Sequence, residues 1–123
     1  MIVGRVAHGK GQGGKIGFPT ANLPIDCAQG VEYGVYAARA IIKGGCYPAV
    51  VNVGAHPTLP EGAPSVEAHI LDESAELYGE ELALELLAYL RSERKFESVA
   101  QLGRQIASDV DAARQICARH IGE

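Results

Sequence analysis

The chain has 123 residues, a length that suits one domain with a single hydrophobic core. Its apolar fraction of 47% and charged fraction of 21% are ordinary for a globular protein and argue against disorder. The formal net charge of −4 gives no support for a nucleic-acid partner bound through a broad basic face. The first 25 residues nevertheless hold Arg5, Lys10 and Lys15 and no acidic residue, so this part of the chain suits a small polyanion.

The cysteine pattern and the lack of targeting signals indicate the cellular compartment of the protein. Cys27, Cys46 and Cys117 are odd in number and lack the close pairs that zinc or redox sites need, which predicts reduced thiols. The N-terminus has no secretory-signal pattern, and no stretch approaches ~18 apolar residues. We therefore expect a cytoplasmic monomer with no membrane and no nucleic-acid partner.

The first half of the chain carries strand patterns. Residues 2–7 are a short apolar segment that leads into the glycine-rich run HGKGQGGKIG at 8–17, which predicts a strand followed by a loop. Residues 31–43 and 46–53 are rich in Val, Ile, Tyr and Ala. The two residues between them, Gly44 and Gly45, predict a β-hairpin with a two-residue turn.

Residues 65–72 alternate as a half-buried strand does. One face holds Val66, Ala68 and Ile70, and the other holds Glu67, His69 and Leu71. Glu67 is therefore expected to point away from the apolar face.

Residues 81–90 are ambiguous. Their content of Glu, Leu and Ala favours a helix, whereas apolar residues at every second position favour a strand. Propensity alone leans towards the helix.

The C-terminal segment predicts an amphipathic helix that ends near Gly122. Ser98 and Gln101 have the spacing of a capping box. Apolar residues follow at intervals of three to four: Val99, Leu102, Ile106, Val110, Ala113 and Cys117. Several short strands followed by one helix predict a mostly β fold, a closed or nearly closed barrel with a helix packed on it, as a single domain over residues 1–123.

Two phosphate-binding patterns occur in the glycine-rich run. Gly9, Gly11 and Gly14 fit the GxGxxG spacing of dinucleotide-binding proteins, and Gly9, Gly14 and Lys15 begin a Walker-type loop. Both patterns require a helix directly after the loop, whose N-terminal amides hold the phosphate.

Neither pattern is expected to operate in its standard form. Gly17 and Pro19 interrupt any following helix, and Ile16 stands where the Walker loop needs a hydroxyl for magnesium. The backbone N–H groups of a glycine-rich turn can still bind an anion.

A series of motifs gives a more specific indication. GRVAHG at 4–9 and GFPTANLP at 17–24, with the tetrapeptide PTAN, resemble the N-terminal signature of the riboflavin kinase (flavokinase) family. Further matches follow in order: GVYA at 34–37, NVG with PT within 52–58, VEAHILD at 66–72, LYG at 77–79, and LR with KF within 90–96. The resemblance covers nearly the whole chain.

The resemblance implies a six-stranded Greek-key β-barrel with a C-terminal α-helix, in which residues 81–90 form a strand against their propensity. It also implies transfer of the γ-phosphoryl group of ATP to the terminal ribityl hydroxyl of riboflavin, giving FMN and ADP with Mg²⁺ as cofactor. Many bacterial relatives also carry an adenylyltransferase domain, which these 123 residues lack, so we expect the reaction to stop at FMN.

The resemblance implies roles for individual residues. Glu67 would be the catalytic base, and Thr20 and Asn22 would be the Mg²⁺ ligands. The nucleotide would be bound by Gly9, Gly11, Lys15, Gly17, Pro19, Thr20, Asn22 and Tyr78, and the flavin by Arg91 and Phe96.

Structural alternatives stay open for most of these positions. Thr20 and Asn22 could stabilise a turn after Pro19, and Glu67 could be a solvated strand residue. Tyr78 and Phe96 could be core aromatics, and Arg91 could pair with an acidic neighbour. The four histidines lack metal-ligand spacing and receive no role.

Two other functions remain open. Many relatives have Arg in the glycine loop where this chain has Gln12 and Gly14, and an aromatic residue where it has Glu73. These differences suggest, as an alternative, a non-catalytic flavin- or nucleotide-binding module of the same fold. A kinase for another polyol-bearing heterocycle is the third possibility.

Overall fold

The computed structural model describes residues 1–6, 20–54, 64–71, 79–94 and 96–121. Six strands form one antiparallel sheet in the order β1-β6-β3-β4-β5-β2. Their bounds are β1 Ile2–Arg5, β2 Thr20–Pro24, β3 Gly34–Ile42, β4 Gly45–Gly54, β5 Ser65–Ile70 and β6 Glu81–Arg91. A 3₁₀ helix at Ile25–Ala28 follows β2, and the helix α1 spans Val99–Ile121.

The sheet curls until its two edge strands approach each other, which makes a nearly closed barrel. At Gly4 of β1, an added Cβ would lie 3.3 Å from Leu23 Cδ2 of β2 and 2.8 Å from Cys27 Sγ of the 3₁₀ helix. A side chain at this position would therefore require Cys27 to move. The expected mostly β barrel with a C-terminal helix is confirmed.

Alternation along the strands produces two hydrophobic clusters on opposite faces of the sheet. In β4, Val51 and Val53 face the barrel interior, whereas Val50 faces α1. In β3, Tyr36 and Ala38 face inwards, and Val35 and Ala37 face the helix. These two strands are buried on both sides, which explains why their sequences are almost continuously apolar.

The hairpin between β3 and β4 is confirmed, but its predicted turn was wrong by one residue. Ile42 pairs with Gly45, so the turn residues are Lys43 and Gly44, with φ of 53° and 76°. Positive φ at both positions is typical of a type I′ turn, whose twist matches the flanking strands. Gly45 belongs to β4, where the ring of Tyr47 covers its backbone.

Residues 81–91 form a strand, as the family resemblance implied and against helix propensity. The reason is tertiary: β6 lies between β1 and β3 and pairs with both. Leu82 and Leu84 are fully buried inside the barrel. This pairing and burial outweigh helix propensities of well under 1 kcal/mol per residue.

The helix begins at the predicted cap. Ser98 Oγ accepts a hydrogen bond of 3.1 Å from the Gln101 N–H, and Gln101 Oε1 accepts one of 3.0 Å from the Glu97 N–H. The buried stripe consists of Leu102, Ile106, Val110, Ala113 and Cys117. Val99, which the pattern included, is instead 59% exposed because it lies at the solvent-facing start of the helix.

Candidate active site

The candidate base Glu67 lies in a row of polar residues across three strands. In the register of the sheet, Glu67 of β5 is opposite Asn22 of β2 on one side and Asn52 of β4 on the other. Directly opposed residues have Cβ atoms about 5 Å apart. The neighbours of these residues along each strand, such as Val66, face the barrel interior, so the three polar side chains lie on the outer face.

The next row on the same face contains His69 of β5, opposite Thr20 of β2 and Val50 of β4. The backbone therefore brings Thr20 and Asn22 beside Glu67 and His69, on two strands that are more than 40 residues apart in the chain. The sequence-predicted metal ligands and the predicted base belong to one region.

Glu67 and His69 are in contact. Glu67 Oε1 lies 3.5 Å from His69 Nε2, with 22% of the glutamate side chain and 6% of the histidine side chain exposed. The glutamate side chain is thus partly exposed, whereas the imidazole is enclosed. This exposure is what a base needs in order to meet a substrate hydroxyl.

Two polar atoms in this region are buried without a hydrogen-bond partner in the described part of the chain: Asn52 Oδ1 and His69 Nδ1. Buried polar atoms in proteins are usually paired. Asn52 lies opposite Glu67 in the sheet, and His69 lies two residues along the same strand as Glu67.

Arg91 lies farther along the row of Glu67, since Asn52 is opposite Val35 and Val35 is opposite Arg91. Its guanidinium is bound to Asp109 of α1, with Nη2 at 2.8 Å from Oδ2 and Nε at 3.2 Å from Oδ1. The Gln105 amide also donates to Asp109 Oδ1 at 3.1 Å. Pairing with an acidic neighbour, the structural alternative for Arg91, is therefore what the structure shows.

Phe96 lies where the chain passes from β6 to α1 and is only 8% exposed, within the cluster that holds the helix. The guanidinium carbons of Arg91 and Arg94 lie 5.7 Å and 4.9 Å from its ring centroid. A cavity of about 350 Å³ opens beside it, lined by Arg94, Phe96, Gln101, Arg104, Gln105 and Ser108. Phe96 thus supports the core and also borders a cavity.

Several predicted nucleotide-binding positions lie outside the described residues: Gly9, Gly11, Lys15, Gly17, Pro19 and Tyr78. Only the backbone of Thr20 is described. The described residues contain no group of three or more His, Cys, Asp or Glu side chains that could hold a metal.

Sequence reasoning missed three residues of this region: Asn52, His69 and Asp109. Asn52 belongs to the NVG motif at 52–54, and His69 follows Glu67 on the same strand face, so both carried a usable signal. Asp109 is 4% exposed and lies beside the apolar stripe of α1. An acidic residue at such a position predicts a cationic partner.

No helix in the described parts of the chain has the length and apolar character needed to cross a membrane.

The family model and two curated sequence relatives agree on one family. The family model described as "Flavokinase: Riboflavin kinase" matches residues 1–117. A bifunctional riboflavin kinase/FMN adenylyltransferase from Escherichia coli K12 is 39% identical over 115 residues, covering 93% of this chain and 37% of the relative. The protein of the same name from Bacillus subtilis 168 is 40% identical over 117 residues, covering 92% and 37%.

A solved structure leads to the same family. The riboflavin kinase from Trypanosoma brucei matches with a TM-score of 0.70 and 25% identity, covering 94% of this chain and 74% of that one. The chain spans little more than a third of the length of the bifunctional relatives, so it corresponds to one part of them. By family model, sequence identity and fold, the chain belongs to the riboflavin kinase family.

Proposed function

We propose that this chain is a riboflavin kinase that transfers the γ-phosphoryl group of ATP to the terminal ribityl hydroxyl of riboflavin and releases FMN and ADP. Family membership supports the reaction class. The observation that carries the proposal is the alignment of Glu67 with Asn22 across β5 and β2, on a face where the Glu67 side chain is partly exposed.

Glu67 acts as the general base. Phosphoryl transfer requires the enzyme to align the acceptor, neutralise the phosphates and orient or deprotonate the nucleophile. Glu67 accepts the proton of the terminal hydroxyl while that oxygen bonds to the γ-phosphorus and the bond from the phosphorus to the ADP oxygen breaks. Its partial exposure supports this role, since the carboxylate can meet a substrate from outside the barrel.

Asn22 and Thr20 would hold Mg²⁺. Mg²⁺ prefers hard oxygen ligands and usually combines one or two protein groups with water and substrate phosphates. The amide of Asn22 beside the Glu67 carboxylate supplies oxygens of this kind, and Thr20 lies two residues along the same strand. When bound, the ion neutralises charge on the transferred phosphoryl group.

The glycine-rich segment would bind the nucleotide phosphates through its backbone, with Gly9, Gly11, Lys15, Gly17 and Pro19, and Tyr78 would lie by the nucleotide. The sequence resemblance supports this assignment.

Arg91 and Phe96 would border the flavin. Arg91 is anchored by Asp109, so its contribution is to shape and charge the surface between β6 and α1. The cavity beside Phe96, of about 350 Å³, falls within the size range of small-molecule sites. We further propose that the chain acts as a cytoplasmic monomer without a nucleic-acid partner.

One assay separates this function from that of a non-catalytic binding module. The purified chain is incubated with riboflavin, ATP and Mg²⁺, and the flavins are separated by chromatography. FMN that accumulates in proportion to the enzyme supports the kinase. Binding of riboflavin without FMN formation supports the binding module.

A further inference from the structure

We propose that His69 is a positioning residue for phosphoryl transfer, which holds the carboxylate of Glu67 through its Nε2 so that the second carboxylate oxygen faces the acceptor hydroxyl. This inference rests on the proposed function, in which Glu67 is the base. The observation that motivates it is the distance of 3.5 Å between His69 Nε2 and Glu67 Oε1.

The two residues are buried to different extents, which assigns their roles. His69 has only 6% of its side chain exposed, so a substrate hydroxyl cannot reach its ring without rearrangement. Glu67 has 22% exposed and can reach the hydroxyl. Proton transfer requires hydrogen-bond reach, so the more exposed Glu67 is the better placed base, and His69 takes the role of holding Glu67 from the protein side.

The backbone of His69 has a fixed place. β5 lies between β2 and β4, and His69 is paired with Thr20 on one side and Val50 on the other. A group anchored on a central strand holds its neighbour more firmly than a loop residue does. Glu67 and His69 are two positions apart on the same strand, so both side chains leave the same face of the sheet.

The second ring nitrogen provides an independent observation. His69 Nδ1 is buried and has no hydrogen-bond partner among the described residues, so the polar contact that the ring makes there is the one from Nε2 to Glu67. Leaving a buried polar atom unpaired costs stability, and an apolar side chain of similar size would avoid that cost. A contact that serves Glu67 accounts for an imidazole at this position.

Three substitutions of His69 test the inference. His69→Gln keeps an N–H near the place of Nε2, His69→Asn places its amide nearer the place of Nδ1, and His69→Leu removes both. We expect kcat to fall by roughly 10- to 100-fold in the Leu and Asn variants, because a misplacement of about 1 Å can cost that much. The Gln variant should stay within about fivefold of wild type, and KM for riboflavin and for ATP should change little in all three.

The double variant Glu67→Gln with His69→Leu shows whether His69 acts through Glu67. Residues that act as a unit are not additive, so the double variant should be no slower than Glu67→Gln alone. Thermal unfolding of each variant separates loss of folding from loss of positioning. If His69→Leu does not fold, the comparison of Gln with Asn decides the question.

The outcomes of the proposal and of the inference are distinguishable. The role of His69 is overturned if the Leu and Asn variants keep the wild-type kcat, or if all three variants lose kcat equally. In either case, FMN formation by the wild type still supports the kinase. A further loss in the double variant also overturns the role of His69. Failure of the wild-type chain to form FMN overturns both.

Discussion

Arg91, the last residue of β6, is bound to Asp109 in the middle of α1 through a hydrogen bond of 2.8 Å between Nη2 and Oδ2. Asp109 is 4% exposed, and the Gln105 amide also donates to it. This ion pair joins the barrel to the helix beside Phe96, which belongs to the hydrophobic cluster between the sheet and α1. The helix is therefore held by charge as well as by apolar packing.

Asp109→Ala should lower the free energy of unfolding by about 3 kcal/mol, since removing one partner of a buried pair leaves the other charge without compensation. Urea unfolding monitored by circular dichroism measures the change. Glu85→Ala is the matched control, because Glu85 pairs with Arg39 where both side chains are more exposed. An equal loss in both variants would contradict the difference in burial on which the prediction rests.

Glu67→Gln should lower kcat by roughly 10²- to 10⁴-fold, the usual contribution of a general base, while riboflavin and ATP still bind. Steady-state kinetics together with flavin fluorescence titration measure the two effects separately. Glu81→Gln, at an exposed position of β6, is a control with the same chemical change. Near wild-type turnover of the Glu67 variant would remove the base assignment.

Asn22→Ala and Thr20→Ala should weaken metal-dependent ATP binding and turnover far more than Lys15→Ala does. The reason is that Asn22 and Thr20 lie opposite Glu67 and His69 in the sheet. Lys15, by contrast, is followed in the sequence by Gly17 and Pro19, which disfavour the helix that a Walker-type loop requires. Titration of Mg-ATP against the three variants measures the order of their ATP affinities. If Lys15→Ala alone abolishes activity, the Walker-type interpretation was the correct one.

Cys46 should react with iodoacetamide before Cys117 in the folded protein. Cys46 is exposed, whereas Cys117 is 2% exposed and burial raises the pKa of its thiol. The thiolate is the reactive form, so a raised pKa and a closed environment both slow the reaction. Mass spectrometry of peptides after timed alkylation gives the order.

The raised pKa of Cys117 also makes the stability of the fold depend on pH. The thiol releases its proton at lower pH in the unfolded chain than in the folded protein. The contribution of the neutral thiol to the free energy of unfolding is therefore fully present below the unfolded pKa, and it is lost as pH rises through the folded pKa. Rapid labelling of Cys117 at neutral pH without denaturant would contradict its burial.

The purified 123-residue chain should form FMN and no FAD, even with excess ATP. FAD formation requires FMN to attack the α-phosphorus of ATP, and a site aligned for transfer of the γ-phosphoryl group does not align that atom. Chromatography of a prolonged reaction measures both products. A FAD peak from protein free of host adenylyltransferase would show that this chain performs both steps.

Local sequence patterns by themselves determined several features of this protein. The alternation at 65–72 places Glu67 and His69 on the face opposite Val66, and the structure confirms it. The spacing of Ser98 and Gln101 locates the start of α1. Both features depend on residues a few positions apart, whose relative placement follows from the geometry of one strand or one helical turn.

Tertiary structure decided what local patterns left open. Residues 81–91 became a strand because β1 and β3 pair with them on either side. The sheet register places Asn22 and Asn52 beside Glu67, although they lie far apart in the chain. The docking of α1 likewise places Asp109 against Arg91. A periodic pattern shows which face of a strand a residue occupies. It does not show which residue of a distant strand lies opposite, because that depends on the packing of the whole barrel.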